Sequence, residues 1–231
     1  MQSWIHYLPL LTTAFSCWFA PQLFTRWGAR RPAPHLFWWG VGVAAYGAGT
    51  VTESLTTLFG WHAPVFRAWY ITGALLGGAP LAQGTAYLLF SRRTADRLTI
   101  LAGAVIASAS IAVLLSPLDL TRMESYRLSG QVLEWSWIRA VVPLINLYAL
   151  VLLVGGALYS AWRYTRAPGM ERRVLANVYI AVGGLLPGIG GAFTRYGHVE
   201  VLYVTELVGL ILIFLGFRVA TNPTEVAVGT V

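Results

Sequence analysis

The 231-residue sequence predicts an all-α, polytopic membrane protein, a bundle of seven transmembrane helices. Three observations predict it. Hydrophobic residues make up 57% of the chain and charged residues only 11%, against about 25% charged in a soluble domain. The apolar residues fall in seven runs, each near or above the ~20 residues with which a helix crosses ~30 Å of hydrocarbon. Most of the charges fall between those runs. Lipid offers no partner to exposed backbone groups, so apolar runs of this length are read as helices.

The first run, about 4–25, starts in MQSWIHYLPL without a basic flank, and reads as a retained span rather than a cleaved signal peptide. It holds Cys17, the only cysteine, which excludes an internal disulfide and sets aside a cysteine-based metal or iron–sulfur site. The second run, about 36–59, carries Glu53 within GTVTESLTTLFG. The third, about 68–90, carries Tyr70, Thr72 and Pro80. The fourth, about 98–117, leads into the longest connection, 116–137, which reads either as a cap over the bundle or as a solvated linker. The fifth, about 138–162, holds Pro143, Asn146 and Tyr148. The sixth, about 174–194, contains GGLLPGIGG at 183–191. That stretch suits close packing of small residues between helices, or a broken helix whose freed backbone lines a site. The seventh, about 199–219, repeats Val-Thr-Glu at 204–206. Residues 1–221 are read as one seven-helix domain and 222–231 as a short polar tail. Pro9, Pro80, Pro143 and Pro187 are expected to kink their helices.

All 16 basic residues are arginine. Eleven of them (Arg26, Arg30 and Arg31; Arg92, Arg93 and Arg97; Arg163, Arg166, Arg172 and Arg173; Arg218) fall on one side of the predicted threading. The net charge of +7 is therefore a topology signal, not a nucleic-acid footprint. It places the N-terminus outside and the C-terminus in the cytoplasm of a cell (plasma or inner) membrane. Tryptophans at 4, 61, 69, 135 and 137, and at 27, 38, 39 and 162, mark the two interfaces.

Two acids lie inside apolar runs. Glu53 sits about six residues before the outer end of its helix and Glu206 about seven after the outer start of its own, so both lie roughly 10 Å deep. An acid at a helix centre costs ~3 kcal/mol, and acids that persist in spans mark functional sites by default. Thr52, Thr205, Thr50, Tyr70, Thr72, Asn146 and Tyr148 fall in the same layer, with Arg139, Arg195 and His198 nearer the surface. The layer reads as a ligand- or ion-binding pocket centred on Glu53, Glu206, Tyr70, Asn146, Thr52 and Thr205. The alternative is a hydrogen-bonded cluster that only specifies helix packing. A second, neutral layer of Gln22, Gln83, Thr85 and Asn177 reads as interhelical hydrogen bonding. His6, His35, His62 and His198 form no metal-binding spacing, and no metal is expected.

Three resemblances accompany these readings. Arg67 and the stretch Glu206-Leu207-Val208-Gly209 are placed as in microbial rhodopsins, which implies a seven-helix bundle. The chain has no lysine, so covalent retinal is excluded and no cofactor is expected. FAPQLFTRW (19–27) resembles the Pro-Gln signature of PQ-loop transporters, although the fifth run lacks a second Pro-Gln. WYITGALLGGAPLAQGTAYLL (69–89), preceded by the acid of the second run, resembles uncharacterised bacterial seven-span proteins. That resemblance implies a membrane location and no particular activity.

The sequence therefore supports a membrane protein that binds a small ligand or ion in the outer half of its bundle, with proton-coupled transport as one form. A receptor or sensor acting through a separate partner is the second reading. An intramembrane enzyme with paired carboxylates is the third, and a non-enzyme is favoured. Partners are the bilayer and a small molecule or ion; nucleic acid is excluded, and oligomerisation is left open.

Overall fold

The computed structural model describes residues 4–124, 127–194 and 196–221. They are mainly helical, and no strand occurs among them. Four helices are long and apolar enough to cross a membrane: 92–115, 138–164, 171–194 and 199–221. Their apolar side chains face outward in large numbers, Ile100, Leu101, Leu115 and Leu144 among them, which points to a membrane protein.

A short 3₁₀ turn, Trp4–Tyr7, leads into α1 (Leu8–Ala29), and α2 (Pro34–Phe59) follows. The third apolar run is three pieces: α3 (Ala63–Trp69), a π-helical segment (Tyr70–Leu76) and α4 (Ala79–Leu89). Next come α5 (Arg92–Leu115) and α6 (Ile138–Ala149). A second π-helical segment (Leu150–Gly155) joins α6 to α7 (Gly156–Tyr164). The chain closes with α8 (Glu171–Thr194) and α9 (Val199–Thr221). The expected tail, 222–231, and Arg195 lie outside the described residues.

Most boundaries fall within a turn of those expected, and the exceptions have local causes. α5 starts at Arg92, six residues earlier than expected, because the Ser91 hydroxyl accepts from the Thr94 amide at 3.3 Å and caps the helix. Pro9 and Pro80 do not kink their helices. They sit in the first turns of α1 and α4, where the missing amide has no carbonyl to bond. Pro143 and Pro187 are interior. Of the two readings of the sixth run, the broken helix does not occur there; the interruption lies in the third run, where the π segment ends at Gly77 with φ +38°, a backbone state that favours glycine.

α8 runs unbroken through GGLLPGIGG, and its glycines serve packing. A Cβ on Gly183 would lie 2.6 Å from the Gly209 carbonyl, and one on Gly209 would lie 2.7 Å from the Gly183 carbonyl. Gly216 meets the Ala176 carbonyl at 2.7 Å, and Gly190 meets Leu202 Cα at the same distance. The pairs Ala176–Gly216, Gly183–Gly209 and Gly190–Leu202 recur every seven residues, an antiparallel register held backbone to backbone. Between helices in lipid, where apolar burial gives no net drive, such contact supplies the dispersion that holds a pair together. Gly47 against Ser16, and Gly84 against Trp39, tighten α1–α2 and α2–α4 in the same way.

The connection after α5 is a folded cap. Asp119 N donates to Val132 O at 2.9 Å and Glu134 N to Pro117 O at 3.2 Å. Val132 and Leu133 are buried against Phe66, Tyr70 and Val113. The Thr121 hydroxyl and amide both donate to Asp119 Oδ1, at 2.5 and 3.1 Å, and hold that carboxyl below its usual range. Arg67 fastens the cap from beneath. Its guanidinium donates to the carbonyls of Val113, Leu114 (2.8 Å) and Ser116 (2.9 Å), the acceptors left open at the end of α5. Arg67→Ala is expected to lower stability by about 1–3 kcal/mol, because those carbonyls lose their donor. Protease sensitivity should rise first in the 116–137 connection, and unchanged digestion there would contradict this role.

Candidate functional site

The hydroxyls of α2 are satisfied by their own helix. Thr52 donates to Gly49 O at 2.5 Å, Ser54 to Thr50 O at 2.8 Å and Thr56 to Thr52 O at 2.9 Å. This back-bonding lets a row of buried threonines and serine cross an apolar interior without neighbouring partners. Glu53, 5% exposed, has no such option. Its Oε1 accepts from Trp69 Nε1 at 3.1 Å, across from α2 to the last residue of α3. Its Oε2 is buried and has no hydrogen-bond partner.

α9 brings Glu206 to the same place. The two carboxyl groups come within hydrogen-bonding reach of each other. Glu206 Oε2 is likewise buried without a partner. Tyr46, two turns inward from Glu53 on the same face of α2, donates its hydroxyl to the Glu206 backbone carbonyl at 3.2 Å, tying α2 to α9. Tyr203, one turn from Glu206, is buried and lies near both acids. Its ring meets His6 edge-on at 5.9 Å, and His6 Nε2 lies 3.5 Å from Glu200 Oε1. The Thr57 hydroxyl donates to the His6 carbonyl at 3.2 Å, so the 3₁₀ turn before α1 packs against both α2 and α9. Among the described residues neither Glu53 nor Glu206 makes an ion pair.

The other expected site residues are placed differently. Thr52 and Thr205 flank the acids in sequence, but each bonds to its own helix; Thr205 donates to Val201 O at 2.7 Å and faces Gly190 of α8. Tyr70 points into the cluster under the cap, where a Cβ on Gly130 would touch its ring at 2.7 Å. Asn146 is exposed on α6, and His198 is exposed before α9. Of the inner polar layer only Gln83 bonds across helices, accepting from the Tyr148 hydroxyl and donating to Ala95 O at 2.9 Å. Gln22 and Asn177 bond within their own helices.

Trp69, Tyr46 and Tyr203 are the neighbours that the sequence reading did not assign to the site. Tyr46 and Tyr203 share helix faces with Glu53 and Glu206 at spacings of seven and three, which is the signal that locates them. An apolar cavity lined by Phe19, Trp39, Val43, Ile213 and Phe217 lies further inward, and a groove beside Trp137 opens on the surface of α5 and α6; neither reaches the acids. Among the described residues, no group of three or more His, Cys, Asp or Glu is placed to hold a metal ion. No protein-family model matches the chain, and no curated protein or solved structure matches it.

Proposed function

We propose that the chain crosses the membrane seven times with its N-terminus outside, and that Glu53 and Glu206 together hold one exchangeable proton. The pair would be the coupling site of a small transporter. The observation that carries this reading is the pair of buried Oε2 atoms, one on each neighbouring carboxyl, without a hydrogen-bond partner among the described residues. Two carboxylates in a low-dielectric interior repel strongly, and each ion would lack compensation. A proton between them satisfies both orphan oxygens and removes one charge. The indole of Trp69 fixes Glu53 Oε1 and leaves Oε2 free to take the proton.

The surrounding helices support a cycle of opening and closing. Along the fifth apolar run, α6 packs on α4, α5 and the first π segment, the second π segment packs on both α4 and α8, and α7 packs chiefly on α8. Such π segments recur at functional sites. Paired-carboxylate catalysis would use the same convergence, but it requires a nucleophile or a substrate-sized opening beside the acids.

Infrared spectroscopy of the purified protein in liposomes tests the proposal without knowledge of the transported ligand. The carbonyl stretch of a protonated carboxyl is expected at neutral pH and should be missing in the Glu53→Gln, Glu206→Gln double variant. Sided proton uptake on imposing a pH gradient should disappear with it. A band that survives in the double variant would overturn the assignment.

A further inference from the structure

Arginine is distributed unequally in its bonding as well as in its number. Where α1, α7 and α9 finish and α8 begins, five guanidinium groups lie over aromatic rings. Arg31 is 4.1 Å from the Trp27 ring centre, Arg166 is 4.0 Å from Trp162, and Arg26 is 5.0 Å from Phe217. Arg173 stands over Tyr164 at 5.5 Å and Arg218 over Phe214 at 5.7 Å. Among the described residues these five make no ion pair and no side-chain hydrogen bond. At the opposite end Arg67 is taken up by carbonyls, Arg122 by Asp119 at 2.9 Å, and Arg127 by Glu124 at 3.1 Å. The acids near the stacked arginines are few. Asp96 accepts from the Tyr87 hydroxyl at 2.6 Å, and Glu171 opens α8.

Stacking occupies the face of a guanidinium and leaves its N–H edge free. That edge matches the paired oxygens of a phosphate, which it can grip with two parallel hydrogen bonds. Arg26 shows the need most clearly: it is half-buried over Phe217, itself 2% exposed, yet has no counter-ion among the described residues. We propose that this end of the bundle binds anionic phospholipid, with the edges of the stacked guanidiniums taking the lipid phosphate. Two seats would result: one between α1 and α9, from Arg26 and Arg218, and the other at the α7–α8 connection, from Arg166 and Arg173. Lipid is the source because the aromatic supports, Phe214, Phe217 and Trp162, belong to apolar helices and set the guanidiniums at headgroup depth. The inference does not depend on the acid pair and can fail or stand separately from it.

Native mass spectrometry of the protein released from mixed micelles of phosphatidylglycerol and phosphatidylcholine reads the preference directly. The wild type is expected to retain phosphatidylglycerol, and Arg166→Gln to lower that retention about fivefold. Trp162→Leu keeps the charge but removes the support, and should lower retention by about two- to fivefold. Arg30→Gln, at an exposed arginine with no ring beneath it, should have the smaller effect. Equal retention of the two lipids by the wild type would overturn the proposal. So would an Arg30→Gln effect equal to that of Arg166→Gln, since charge alone would then explain binding. Displacement of the lipid by inorganic phosphate would indicate a site for free anions and would also overturn it. Arg166 and Trp162 are exposed, so these variants leave the packed interior intact.

Discussion

Gly209→Leu is expected to separate α8 from α9 and to cost at least the about 1–3 kcal/mol typical of overpacking. The first atom of the new side chain would lie 2.7 Å from the Gly183 carbonyl and 3.1 Å from Pro187 Cδ. Neither can yield, since one is helix backbone and the other a ring fixed to it. The helices must therefore move apart along the whole seven-residue register, loosening Ala176–Gly216 and Gly190–Leu202 as well. Glu206 lies one turn from Gly209, so the displacement would also pull its carboxyl away from Glu53. Gly188→Ala is the control. Nothing lies within 4 Å of that position, and alanine gains up to about 1 kcal/mol in helix propensity over glycine. Thermal unfolding followed by tryptophan fluorescence should fall markedly for Gly209→Leu and hold or rise for Gly188→Ala. A wild-type melting curve for Gly209→Leu would mean that the register is wrong.

Much of this arrangement is legible in the sequence because membrane helices have few freedoms. Their positions follow from apolar run length, and the depth of an acid follows from its distance to the helix end. Run length and residue counting therefore suffice to put Glu53 and Glu206 in one layer. Rotation about the helix axis is what depth cannot supply. Asn146 has the right depth, yet its position on α6 turns it outward. Tyr70 has the right depth as well, but the cap residue Gly130 receives its ring. Thr52 and Thr205 stand beside the acids, but hydroxyls can bond to their own helix and carboxyls cannot. The glycines of α8 are ambiguous in sequence for a related reason. Glycine permits both a broken helix and a tight interface, and only the partner helix decides between them. The break falls instead at 70–78, where a π segment and Gly77 interrupt a run whose apolar pattern is continuous.

Glu206→Gln and Glu206→Leu should move stability in opposite directions while both abolish proton exchange. In the wild type the two Oε2 atoms are buried, and neither has a hydrogen-bond partner among the described residues. Glutamine replaces one oxygen with an amide that carries its own protons and can donate to Glu53 Oε2. The orphan oxygen is then satisfied permanently, and only one carboxyl remains to ionise. Whenever the shared proton leaves, a buried acceptor goes unmet at a cost of about 1–3 kcal/mol, and the glutamine variant is spared that cost. Leucine has a similar volume but no donor. Glu53 Oε2 then faces a hydrocarbon side chain, and stability falls by a comparable amount. The stabilised variant is thus the inactive one, as expected where a strained polar contact serves function. Unfolding at neutral pH in one detergent, together with the infrared carboxyl band, separates the two. If glutamine and leucine shifted stability in the same direction, Glu206 would be acting through its packing, and the shared proton would have no role in holding the pair.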